Sequence, residues 1–125
     1  MTAPAALRGS VFLVEDETMI RLLVSDMLQD LGYAVAAEAG EIEQAVQLAQ
    51  SATFDLAILD VNLNGKIVSP VAEVVASRNL PFVFATGYGF EGLPEEYRDY
   101  PVLQKPFKIE TLQQAIETAL QLRNQ

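Results

Sequence analysis

Neither a cysteine nor a histidine occurs among the 125 residues. The first absence removes disulfides, thiolate nucleophiles and zinc-thiolate centres, and the second removes the commonest general base and metal ligand. Whatever chemistry the chain performs falls to carboxylate, hydroxyl, amide and lysine. Basic residues are scarce too: 8 Lys and Arg stand against 17 Asp and Glu, a formal charge of -9. Phosphate backbones reward the opposite sign, so no direct binding of nucleic acid is expected. No apolar run is long enough to span a bilayer, and the start MTAPAALRGS has neither a basic region with a long apolar core nor a cleavage pattern. The expectation is a soluble cytoplasmic protein with no membrane role.

What is present is a chain that is half hydrophobic and long enough to bury one core. Residues 1–125 are expected to form a single domain, with no room for an output domain. Short apolar runs alternate with longer periodic ones. SVFLVED is an apolar run ending in acids; after it Ile20, Leu23, Val24, Met27, Leu28 and Leu31 recur at helical spacing, and Gly32 stands where a left-handed cap is wanted. YAVAAE predicts a second strand, and Ile42, Ala45, Val46 and Ala49 one helical face. FDLAILD predicts a third strand; Ser69-Pro70 supplies an N-cap and first-turn proline for a helix carrying Val71, Val74 and Val75. PFVFAT and PVLQ follow as strands, and Ile109, Leu112, Ile116, Ala119 and Leu120 share one side of a last helix.

Strands without alternation are covered on both faces, and strand-helix alternation of this length gives a parallel sheet. The predicted fold is therefore α/β: a flavodoxin-like (βα)5 doubly wound, five-stranded sheet. One segment departs from the pattern. GYGFEGLPEEYRDYP carries three glycines and two prolines where a fourth helix is due, which predicts a short, frayed or mobile one.

In an open parallel sheet the ligand crevice lies beyond the carboxyl ends of the strands. Here the first strand ends on Glu15 and Asp16, the third on Asp60 and the fourth on Thr86, while the fifth leads into Lys105 and Pro106. Three carboxylates brought to one edge repel one another, and keeping them ionised requires a cation. Oxygen-only ligation points to a hard ion such as Mg2+. Flanked by metal and lysine, Asp60 can act as a nucleophile, with the Thr86 hydroxyl placed for a phosphoryl oxygen. Phosphoryl transfer asks mainly for positioning and charge neutralisation, so the missing histidine is no obstacle.

The ordered set VED at 14–16, LD at 59–60, AT at 85–86 and KP at 105–106 resembles the receiver domains of bacterial two-component response regulators, over the whole chain. The resemblance implies that Asp60 is the phosphoacceptor, that Glu15 and Asp16 bind magnesium with Asp60 and the backbone carbonyl of Asn62, and that Thr86 and Lys105 are switch residues. It implies a cis Lys105-Pro106 bond. FATG at 84–87 is similar to a stand-alone, single-domain subset phosphorylated by sensor histidine kinases, with the HWE type suggested and stress or envelope signalling as the setting. Such a protein is not an enzyme beyond Mg-dependent self-phosphorylation from a donor and self-dephosphorylation. Its signal leaves through a partner surface, or it serves a phosphorelay or a phosphate sink. With no histidine, onward relay requires a separate histidine phosphotransfer protein or another downstream partner.

Three positions depart from the family pattern. Val102 stands where many receivers carry an aromatic partner for the threonine, and Tyr88 or Phe90 is the expected substitute. The loop VNLNGK lacks the usual proline and is expected to be more adaptable. Asn62 and Tyr88, two residues beyond Asp60 and Thr86, occupy positions that tune dephosphorylation. The segment GFEGLPEEYRDY is the expected docking surface, with the first helix as the alternative. Two other readings compete. A phosphatase with an aspartyl nucleophile, of the haloacid dehalogenase kind, needs a general acid two residues on; here that residue is Asn62, whose amide cannot donate and retrieve a proton. A pseudo-receiver that keeps the fold without the chemistry would not need all five reactive side chains.

Overall fold

The structure is a computed structural model and describes residues 8–87, 93 and 95–123. In chain order the elements are β1 (Gly9–Val14), α1 (Thr18–Asp30), β2 (Tyr33–Ala39), α2 (Ile42–Ser51), β3 (Leu56–Asp60), β4 (Asn62–Leu63), β5 (Lys66–Ile67), α3 (Ser69–Ser77), β6 (Phe82–Thr86), a 3-10 turn (Glu95–Tyr97), β7 (Val102–Gln104) and α4 (Ile109–Arg123). Five strands pair in the order β2-β1-β3-β6-β7, all parallel. That is the flavodoxin-like order, with a reversal beside β1 and β3.

Alternate residues of each central strand feed two cores. Phe12, Val14, Ala57, Leu59, Phe82 and Phe84 face a layer built by Ala45 and Ala49 of α2 and Val71, Ala72 and Val75 of α3. Val11, Leu13, Leu56, Ile58, Val83 and Ala85 face Val24 and Leu28 of α1 and Leu112, Ile116 and Ala119 of α4. Burial on both sides explains why these strands are apolar without alternation. Gly32, at φ 93, closes α1 as its position in the sequence predicts. Leu23, expected on the buried stripe of α1, is instead 55% exposed beside Met19 and Leu22.

One local expectation is corrected. Ser69 is the first residue of α3 rather than its cap, because Val68 takes the cap position with no side-chain hydrogen bond, and Pro70 still falls in the first turn. After Asp60, β4 and β5 form an antiparallel hairpin around Asn64 and Gly65, both at positive φ (52° and 86°). An Asn-Gly turn of this kind matches the twist of paired strands and supplies the constraint that a proline would otherwise provide.

Between β6 and β7 the described residues contain one helical turn, the 3-10 segment. Leu93 and Tyr97 are buried there. Tyr100 stacks on Phe82 with centroids 4.4 Å apart, and Tyr97 lies 5.4 Å from Phe84. Aromatic rings thus cover a sheet face that the neighbouring helices α2 and α3 cover elsewhere. Val102 pairs with Phe84 and packs against the same cluster. Two aromatics of the expected docking surface are therefore committed to the core. Tyr88 and Phe90 lie outside the described residues.

Candidate functional site

The three buried polar side chains among the described residues are Glu15, Asp60 and Thr86, each at the carboxyl end of a neighbouring central strand. The apolar body of each strand holds its last residue in place: Asp60 pairs with Ala85 in the sheet, and the backbone N–H of Lys105 donates to the Thr86 carbonyl at 2.9 Å. The Lys105-Pro106 bond is cis, as the resemblance implies, and Pro106 is exposed.

Lys105 Nζ donates to Glu15 Oε1 at 2.5 Å and to Asp60 Oδ2 at 2.9 Å. Asp60 Oδ1 accepts from the Asn62 N–H at 3.3 Å, and Glu15 Oε2 from the Glu17 N–H at 3.0 Å. Half-buried Asp16 accepts through Oδ2 from the Asn64 N–H at 3.0 Å. One oxygen from each of Glu15, Asp16 and Asp60 lies within 4.8 Å of the others. Three separate segments, the ends of β1, β3 and β7, deliver these groups, so the convergence that the strand ends predict is present for Glu15, Asp16, Asp60 and Lys105, with Thr86 at the end of β6. The Asn62 side chain also braces the hairpin: its Oδ1 accepts from the Gly65 N–H at 2.8 Å and holds the turn.

The electrostatics follow from crowding. Burial pushes the Asp60 carboxyl up to about 7; the Lys105 hydrogen bond pulls it down, and the Glu15 charge pushes it up again. Burial works against charge on Lys105, yet the hydrogen bonds to Glu15 and Asp60 outweigh it and raise its value above the ordinary lysine range. Burial would also lift Asp16, but hydrogen bonding with Glu15, the Asn64 amide and Asp60 holds it below the usual carboxylate value. One lysine facing three acids leaves excess negative charge. A hard divalent cation with oxygen ligands fits that donor set, since Mg2+ takes carboxylates and retains several waters.

Two contributors escape sequence reasoning: Arg21, whose Nη1 donates to the Glu15 carbonyl at 3.1 Å, and Asn64. The Asn-Gly pair between short apolar runs is the available signal for the second.

Comparison with known proteins bears on this arrangement. The family model for the response regulator receiver domain matches residues 11–117. Transcriptional regulatory protein PdtaR of Mycobacterium tuberculosis is 36% identical over 122 residues, which cover 94% of this chain and 60% of PdtaR. The solution structure of SdrG from Sphingomonas melonis Fr1 superposes with a TM-score of 0.81 at 35% identity, covering 95% of this chain and 99% of SdrG. A BeF3-activated conformation of SdrG from Pseudomonas melonis Fr1 superposes at 0.76 with 39% identity, over 93% and 98% of the two chains. Receiver domains bind Mg2+ at an acidic pocket and are phosphorylated by histidine kinases. The chain belongs to the response regulator receiver domains, whose phosphorylation carries the signal in two-component systems.

Proposed function

We propose that this chain is a single-domain response regulator whose Asp60 accepts a phosphoryl group from a sensor histidine kinase. The observation that carries the reading is the position of Asp60: buried at the end of β3, with Oδ2 on Lys105 and with Glu15 and Asp16 beside it. Glu15, Asp16, Asp60 and the Asn62 carbonyl would hold Mg2+, which when bound supplies neutralising charge for phosphoryl oxygens.

An ionised Asp60 oxygen attacks phosphorus, a P–O bond forms, and the P–N bond to the kinase imidazole breaks. The departing nitrogen keeps the electron pair, and a ring protonated on its other nitrogen leaves neutral. Lys105 holds Asp60 in place and offsets charge, and the Thr86 hydroxyl takes a phosphoryl oxygen as hydrogen-bond acceptor. Binding of BeF3, which has the charge and tetrahedral form of a phosphoryl group, gives SdrG an activated conformation. That supports the same response here. With Val102 in the usual aromatic position, Tyr88 or Phe90 takes the switch role, and Tyr88 with Asn62 sets the lifetime of the phosphoryl group. Pro106 follows Lys105 directly and limits the paths its loop can take.

FATG at 84–87 supports membership of the stand-alone Phe-Ala-Thr-Gly subset and an HWE-type kinase as donor. The surface that fits such a partner is α1, where Met19, Leu22 and Leu23 are exposed. Beside them a groove of about 230 Å3 runs between Ile20, Leu23 and Met27 of α1 and Pro106-Phe107. The phosphorylated form acts in the cytoplasm on a downstream protein, in a relay or as a sink.

The test is intact mass after incubation with Mg2+ and a small acyl-phosphate donor. Gain of one phosphoryl group, lost in Asp60→Asn and in metal-free protein, is the expected result. No gain from either the donor or a kinase panel would sink the reading, and sustained turnover of a generic phosphate ester would replace it with a phosphatase.

A further inference from the structure

The geometry points to Asn64 as a positioning residue of the metal site, an inference that rests on the receiver reading above. Asn64 sits at the tip of the β4–β5 hairpin with φ 52. Its backbone N–H reaches across 48 residues of chain to Asp16 Oδ2, and its side-chain Nδ2 donates to the Gly40 carbonyl at 3.3 Å. Gly40 belongs to the wall behind the acids. A Cβ there would lie 3.0 Å from Arg21 Nη1, 3.5 Å from the Glu15 carbonyl and 3.7 Å from the Asp16 Cα.

Asn64 therefore joins three things: the hairpin that begins at the Asn62 carbonyl, the carboxylate of Asp16, and the loop after β2 that closes on Glu15 and Asp16. Arg21 completes the brace from α1 by donating to the Glu15 carbonyl. Glu15 and Asp60 are held by burial and by Lys105, whereas Asp16 is only half-buried and is oriented by the hairpin tip. A ligand left free to rotate must be ordered when a cation binds, and that ordering weakens binding. The residue type follows from two demands at once. The left-handed backbone favours asparagine or glycine, and the bond to Gly40 requires a short side-chain donor. Asparagine meets both.

Two substitutions separate these demands in the full chain. Asn64→Gly keeps the backbone conformation and loses the bond to Gly40; Asn64→Ala loses the bond and strains the turn. Titration with Mg2+ alone, by calorimetry, is expected to show affinity about 10-fold weaker for the glycine variant and at least that for alanine. The Mg2+ concentration for half-maximal phosphoryl uptake should rise by the same factor. Melting in chelator confirms that each variant folds, and the glycine variant is the safeguard if the alanine one does not. Affinities within about twofold of wild type would overturn the inference, whether or not the Gly65 amide exchanges faster, because Asn64 would then at most close a turn. Phosphoryl uptake is read separately by intact mass. Wild-type protein that binds Mg2+ but takes up no phosphoryl group overturns the receiver reading alone, and the affinity ratio still decides the role of Asn64. Wild-type protein that binds no Mg2+ overturns both.

Discussion

Along β3, Leu56, Ala57, Ile58 and Leu59 are buried among apolar side chains from the two helical layers, whereas Asp60, one residue further on, is buried against Glu15 and Lys105. The same change occurs from Val14 to Glu15 and from Ala85 to Thr86. Strand bodies lose apolar surface to the core, which favours folding at about 25 cal/mol per Å2. Strand ends take charged or hydrogen-bonding groups out of water, which disfavours folding unless each finds a partner. Equal burial thus has opposite energetic sign a single residue apart. The rigid, stabilising part of the strand fixes the position of the costly part.

The largest effect is expected from breaking a strand body. Phe84 is fully buried and touches both Phe82, at 5.4 Å between centroids, and Tyr97. Phe84→Ala removes a ring against which Tyr97 and Tyr100, before β7, pack. Chemical denaturation should show a loss of about 3–5 kcal/mol. A loss under about 1 kcal/mol would mean that the aromatic cluster is not a packed part of the core.

Relieving a strand end should have the reverse sign. Asp60→Asn keeps the shape and an acceptor oxygen for Lys105 while removing one of three crowded charges. With chelator present at about pH 8, we expect the variant to be more stable than wild type by about 1–3 kcal/mol. That is less than the full rise of Asp60 from 3.8 to about 7 allows, because solvent screens part of the crowding. Equal or lower stability would show that Lys105 already offsets the cost of burying Asp60. The comparison would then fail at its centre.

Much of this contrast is legible in the sequence. Apolar runs broken by Asp60, Thr86 and Glu15-Asp16 mark the sheet, the order of its units and the edge where the site lies, because burial on both faces and strand termination are local signals. The hairpin is harder to see although Asn64-Gly65 announces it, since a missing proline suggests freedom where a different constraint operates. Tyr97 and Tyr100 cannot be assigned to the core from a segment rich in glycine and proline, because what they cover, Phe82 and Phe84, is set by tertiary packing. The hydrogen bond from Asn64 to Asp16 is likewise a long-range contact with no local pattern. Where Leu23 faces follows from the limit of the helical layer, which periodicity alone does not mark.

The smallest effect, and the one that isolates the titrating group, is the pH dependence of the metal-free protein. Asp60 has a folded value of about 7 against an ordinary 3.8, so between these values the folded chain holds a proton that the unfolded chain has released. Stability must then fall as pH rises through that window. The other two shifted groups at the site do not mask it. Asp16 is depressed, so its contribution is already complete above its unfolded value and is lost only as pH falls. Lys105 is raised, so its contribution is complete below its unfolded value and is lost only at alkaline pH. In chelator, the melting temperature should decline by on the order of several degrees from about pH 5 to about pH 8. Saturating Mg2+ should shrink the decline, because binding favours the ionised carboxylates and releases protons. Asp60→Asn should flatten it without metal. A slope that persists unchanged in the variant would assign the titration to another group and separate the cost of the strand end from Asp60.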